Sequence, residues 1–306
     1  MISSEMFEPL KETVFRRIWL ASLLSNTGRM IQGVAAGWAM VEMSGSAEQV
    51  ALVQTALMLP IMLFALPAGA IADIFDRRMV IILAIIASLA GSVVLALAMY
   101  GERIDVWGLL IFTFWVGAGM ALFGPSWQAS VSEQVATPAL PSAIALNSVS
   151  FNVARSFGPA IGGMIVASAG VSAAFVAAAL CYLPLIAVMF LWKRERETPR
   201  LPPEGLFEAT GAGLRYVFHS PRIRAPLWRT FATALAGTSV AALLPLVARD
   251  LLSGDSRIFG ILLGAFGIGA VMGGLALASM RARYSAEMIM RLSNALLAAS
   301  ALVVAL

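Results

Sequence analysis

The chain has 306 residues, of which 60% are hydrophobic and 12% charged, and its mean hydropathy is +0.87. That balance excludes a soluble globule and predicts an all-α membrane protein that crosses the bilayer many times. The formal net charge of +4 does not point to a nucleic-acid partner, because the excess base sits in loops between apolar runs. One cysteine, Cys181, and one histidine, His219, exclude an intrachain disulfide and give little support to a zinc site or a thiol–imidazole dyad. Neither a metal, a cofactor nor an enzyme activity is expected.

A helix needs about 20 apolar residues to cross a ~30 Å hydrocarbon core. By that measure the chain has nine candidate spans: 17–40, 49–72, 79–100, 106–128, 141–168, 171–192, 227–248, 258–280 and 286–306. The residues before them carry Glu5, Glu8, Lys11 and Glu12 without a short apolar core, so no removable signal peptide is expected. Counting bases by side sets the orientation. Lys11, Arg16, Arg17, Arg77, Arg78, Arg281, Arg283, Arg291 and the many arginines of 193–229 fall on the side of the N-terminus. Only Arg103, Arg249 and Arg257 fall on the other. The N-terminus is therefore expected in the cytoplasm. Trp19, Trp38, Trp107, Trp127, Trp192 and Trp228 sit near the predicted interfaces, as amphipathic rings do.

Within the spans, two arginines ask for a reason, since each costs roughly 2.5–3.5 kcal/mol at the bilayer centre. Arg29 lies ~18 Å into the first helix, flanked by Ser22, Ser25, Asn26 and Gln32; Arg155 is similarly deep in the fifth, beside Asn147 and Asn152. These side chains are either structural clamps bonded to helix carbonyls or the walls of a water-filled cavity. Two such arginines would suit an anionic substrate, or equally groups on helices not yet accounted for. The third and sixth spans carry no charged side chain. The fifth continues Ala154-x-x-x-Gly158-Pro159-x-x-Gly162-Gly163. The proline removes a backbone donor and bends the helix, and the glycines permit close helix approach. Such a helix can seal one group of helices against another, or simply pack.

The turn between the second and third spans reads Gly69-x-x-x-Asp73-x-x-Asp76-Arg77-Arg78. It resembles the signature loop of the major facilitator superfamily, in which the glycine allows close packing and the acid and basic pair form a cytoplasmic gate latch. Ile74 stands where that family usually has a base, and Asp76 where it often has glycine. The helix-5 motif resembles that of proton-coupled exporters, with Ala154 in place of its first glycine. Gly124-Pro125-Ser126-Trp127-Gln128, Glu133 and Leu146-Asn147-Ser148 resemble the branch of enterobactin-type and macrolide exporters, and Glu133 is either part of the latch or an ordinary interfacial acid. The resemblance runs from residue 14 to about 290. It implies the major facilitator fold, with a complete N-terminal six-helix half (1–192), a cytoplasmic linker carrying a short amphipathic helix (193–226), and three helices of a C-terminal half (227–306).

On that resemblance Asn26, Arg29, Gln32, Asn147, Asn152 and Arg155 line a substrate cavity. Gly69, Asp73, Asp76, Arg77, Arg78 and Glu133 form the cytoplasmic gate, and Gly158, Pro159, Gly162 and Gly163 form the exporter signature. The implied function is ion-motive-force-driven efflux of a small amphipathic molecule, of the drug or siderophore class, across a bacterial inner membrane. The alternative is a non-transporting truncated fragment or a membrane assembly or binding protein. The family expects six helices where the second half has three, the others coming from a longer chain or an unknown partner. The helix-4 arginine of many proton-coupled exporters is absent, and no acid lies at mid-depth, so proton coupling is implied by the resemblance alone.

Overall fold

The apolar runs fold as helices because a chain in hydrocarbon must satisfy every backbone N–H and C=O within itself. The computed structural model describes residues 4–44, 46–192, 211, 215, 219–252, 256–280 and 284–305. A 3-10 segment, Ser4–Lys11, leads into α1 (Thr13–Met43), α2 (Ala47–Ile74), α3 (Arg77–Tyr100) and α4 (Val106–Ser130). The run Leu140–Leu191 is broken at Gly170, whose φ of 83° and ψ of 170° leave the helical region, so it forms two spans, α5 (140–169) and α6 (171–191). A residue with a Cβ is strained at that φ, and glycine is what lets the chain reverse there. Then follow α7 (Pro221–Leu246), a π turn at Val247–Leu251, α8 (Ser256–Met280) and α9 (Ala286–Ala305).

Acids set two of the helix starts. The Asp76 carboxylate accepts from the Arg78 and Met79 amides at 3.0 and 3.4 Å and begins α3. Asp105 accepts from Gly108 at 2.8 Å and begins α4. In both, an orphan N–H of the first turn finds a partner. The seventh helix starts at Pro221 rather than 227, with proline where its missing N–H costs nothing. The amphipathic helix expected around Phe207, Leu214, Val217 and Phe218 lies outside the described residues.

Among the described residues four helical segments are long and apolar enough to cross a membrane: Ala47–Ile74, Arg77–Tyr100, Val106–Glu133 and Thr137–Leu191, the last being long enough for two crossings. Helix α1, at 31 residues and ~46 Å, has the length but is diluted by its polar residues. Burial is reversed from that of a soluble protein. Leu83 and Leu97 of α3 are 60% and 68% exposed, while Ser88, Gly91 and Ser92 of the same helix are buried. Small and polar residues face the helix contacts and large apolar ones face outward, as packing within lipid requires.

Helix α1 lies at the centre. At the end where α1 gives way to α2, one apolar cluster joins Ile31, Val34 and Trp38 of α1 to Val53, Leu95, Leu109 and Phe175, and to Leu246 and Phe259 of the second helix group. At the opposite end the clusters hold residues of α1 and α3–α6 and of the α4–α5 link, without any from α7–α9 among the described residues. Among the described residues, α7–α9 thus join the buried clusters at one end only.

Candidate functional site

At that other end lies a cavity of about 480 Å³ bounded by α1, α4 and α5. Asn26 and Arg29 supply one wall, Phe123 and Trp127 a second, Asn147 and Asn152 a third. The wall residues are braced. Asn26 donates from Nδ2 to the Ser150 hydroxyl at 3.3 Å, and its Oδ1 accepts from the Arg29 guanidinium. Asn152 donates to the Ser148 carbonyl at 2.8 Å. The guanidinium carbon of Arg29 stands 5.0 Å over the Phe123 ring, and Phe123 stacks on Trp127 with centroids 5.3 Å apart and planes at 15°. Two donors, Arg29 Nε and Asn147 Nδ2, are sealed from solvent with no protein acceptor.

Four of the six residues expected on the cavity wall are therefore brought together there, and two are not. Gln32 is buried against α3, where its Oε1 accepts from the Ser92 hydroxyl. Arg155 turns toward α8 and lies 5.1 Å over the Phe266 ring. The aromatic wall was not anticipated from sequence as part of a site. Its signal was present, since Phe123 and Trp127 are four apart on one helix and so share a face.

The α2–α3 turn is tied down by its two arginines. Arg77 Nη1 pairs with Glu133 Oε1 at 2.8 Å and donates to the Ala129 carbonyl at 3.3 Å, while its Nε donates to Ala72 at 3.3 Å. Arg78 donates to the Met189 and Phe190 carbonyls, both at 2.7 Å, so a cation meets the negative end of α6. Glu133, left between two roles by the sequence, is an ion-pair partner. Asp76 caps α3. Asp73 is exposed, with no hydrogen-bond or ion-pair partner among the described residues. A Cβ at Gly69 would meet none of the described residues within 4 Å, so the close approach expected of that glycine is not made among them. Arg77→Ala and Glu133→Gln should each lower stability by about 1 kcal/mol, and the double variant should cost less than the sum of the two, since both remove the Arg77–Glu133 interaction. Thermal unfolding of the four proteins reads this directly.

The glycines of α5 serve two contacts. A Cβ at Gly158 would come within 2.6 Å of Met30 Cβ, and one at Gly162 within 3.1 Å of Ile31 Cα, so both face α1. On the other side a Cβ at Gly260 of α8 would stand 2.9 Å from Gly163 Cα and from the Pro159 carbonyl. Helix α5 is thus wedged between the first helix group and the second. At the closed end, Trp38 stacks on Phe259 at 6.3 Å, and Arg249 donates to the Val41 carbonyl at 3.4 Å. Arg249 also pairs with Asp250 at 2.5 Å, a hydrogen bond that holds the Asp250 carboxyl below the usual carboxylate range.

Helices long and apolar enough to cross a membrane, with a polar cavity among α1, α4 and α5, define a polytopic helical membrane protein. The chain belongs to the transmembrane secretion effector family of the major facilitator superfamily, whose sequence profile matches residues 4–306. It is 26% identical over 265 residues to the staphyloferrin A transporter of Staphylococcus aureus, covering 84% of this chain and 65% of that one. It is 28% identical over 211 residues to the multidrug efflux pump Tap of Mycobacterium tuberculosis, covering 66% of this chain and 50% of that one. In fold it matches the crystal structure of a bacterial homologue of the human lysosomal transporter Spinster, with a TM-score of 0.66 at 18% identity, over 90% of this chain and 64% of that one. The chain thus spans half to just under two thirds of the length of these proteins. Its family is one of transporters and not of enzymes.

Proposed function

We propose that this chain is the substrate-handling part of a secondary exporter in a bacterial inner membrane, driven by an ion gradient and acting on small amphipathic molecules of the drug or siderophore class. The observation that carries the reading is the 480 Å³ cavity with polar walls deep in an apolar helix bundle. A drug-sized ligand takes a pocket of that order, and polar side chains within an apolar membrane bundle mark substrate or ion pathways. The names of the staphyloferrin A transporter and of Tap support the substrate class.

The excess of arginine on the side of the N-terminus supports a cytoplasmic N-terminus. In that orientation the cavity opens inward, and Trp38, Phe259 and Arg249 close the outer side. Residues 1–192 and 227–306 are then two rocking bodies, linked through 193–226, with the α5–α8 crossing as the surface between them. The Arg77–Glu133 pair and Arg78 hold the inner turn rigid, and Asp73, exposed beside them, is the group free to engage the second body when the inner side closes. A proton is the expected coupling ion, with its carrier outside the spans described here.

The test is accumulation of fluorescein and ethidium in bacterial cells lacking their own major efflux pumps. Cells expressing the chain should retain less of at least one dye than cells with empty vector. Asp73→Asn should restore accumulation at equal membrane abundance while leaving dye binding intact. Accumulation equal to empty vector for both dyes would favour a non-transporting membrane protein.

A further inference from the structure

We propose that the α1/α4/α5 cavity selects organic anions that carry an aromatic ring, with Arg29 and Asn147 binding the anionic group and Phe123 and Trp127 the ring. This rests on the reading of the cavity as the substrate site. The first argument is charge. Arg29 is the one charged side chain on the cavity wall among the described residues, and no carboxylate shares the wall with it. The acid near this end of the cavity, Glu133, is engaged by Arg77 at 2.8 Å. A guanidinium held in an apolar bundle without a counter-charge is costly, and an anion entering beside it removes that cost.

The second argument is hydrogen bonding. Beside the cavity two buried polar atoms lack partners, Arg29 Nε and Asn147 Nδ2, and both are donors. Two nearby acceptors are engaged, Asn26 Oδ1 by Arg29 Nη2 and the Ser148 carbonyl by Asn152. A ligand that satisfies this wall must bring acceptors, as a carboxylate or phenolate does. A cation or a donor-rich amine would leave both donors unmet and face the arginine's field.

The third argument is shape. The guanidinium lies over Phe123 and Phe123 stacks on Trp127, so the anion site borders an aromatic stack, and Phe151, 40% exposed, adds a further ring to the lining. A flat ring joined directly to an anionic group stacks there while its charge reaches Arg29. The second deep arginine plays no part, since Arg155 is turned to Phe266.

The test uses three probes with one ring and three charges: 2-naphthoate, 2-naphthylmethanol and 2-naphthylmethylammonium. Binding to the full chain in lipid nanodiscs is measured by calorimetry, with empty nanodiscs subtracted. Naphthoate should bind at least tenfold more tightly than either of the others. Arg29→Gln should remove that advantage by weakening naphthoate far more than the alcohol, and Asn147→Leu should weaken naphthoate a few-fold. The three wild-type affinities decide the matter even if a variant fails to fold. Equal affinities for all three would overturn anion selectivity and leave the cavity standing as a ligand site. No binding of any probe would overturn both.

Discussion

Replacing Gly260 by leucine is expected to abolish transport and lower the melting temperature, while Gly269→Leu on the same helix leaves both near wild type. At Gly260 even an added Cβ stands 2.9 Å from Gly163 Cα and the Pro159 carbonyl, whereas ordinary contact begins near 3.4 Å. Both neighbours are backbone, so no rotamer change relieves the clash, and α5 and α8 must part by several tenths of an ångström for alanine alone. Overpacking of this kind costs about 1–3 kcal/mol. The larger loss is functional, because this crossing is where the two helix groups bear on each other. At Gly269 a Cβ meets nothing within 4 Å, and leucine there adds apolar surface without displacing a neighbour. Thermal unfolding and dye efflux of the two variants at matched membrane abundance check the contrast. Similar behaviour of the two would mean that the crossing is not a bearing surface.

Arg29→Ala is expected to reduce efflux at least tenfold without lowering membrane abundance, and Arg155→Ala to reduce it only mildly. The two arginines lie at similar depth in their helices, yet their surroundings differ. Arg29 is bonded to Asn26, stacked over Phe123 and part of the cavity wall. Removing it takes away the cavity wall's charge and frees Asn26 to move. Arg155 contributes a cation–π contact across the α5–α8 crossing, which is worth about 0.5–1 kcal/mol at a partly exposed site. Its loss should appear as a small drop in melting temperature. Equal, severe losses of efflux in both variants would place Arg155 in the substrate path after all.

The contrast between these two residues also marks how far sequence reasoning reaches. Span positions were legible, because hydropathy and length decide them. Gly170, Asp76 and Asp105 set helix ends by local chemistry that sequence displays. The rotation of a helix about its axis was less legible. Asn26 and Gln32 were grouped as one stripe with Arg29, but at 100° per residue six positions turn ~240°. Two rows therefore meet at Arg29. Asn26 and Arg29 follow one row toward the cavity, and Ser25, Arg29 and Gln32 follow the other toward α3. Arg155 was misdirected for a related reason. The glycines and proline that follow it press α5 against α1 and α8, and that packing decides which way position 155 looks. The Arg77–Glu133 pair joins residues on different helices, and only the fold could choose it over an interfacial acid facing water. Gly69 was expected to lie in a tight contact and does not, because close approach depends on what stands opposite, which no motif specifies.

The most direct test of the central claim, a solute cavity open to the cytoplasm and closed on the outer side, is side-specific labelling at its wall. A Ser148→Cys variant, made with Cys181→Ala so that no native thiol competes, is treated with a membrane-impermeant maleimide in inside-out and in right-side-out vesicles. Ser148 lines the cavity, so the account predicts rapid labelling in inside-out vesicles, little in right-side-out ones, and slowing by any dye the cells export. Labelling mainly from the outside, or equal labelling from both sides with no protection by such a dye, would contradict it.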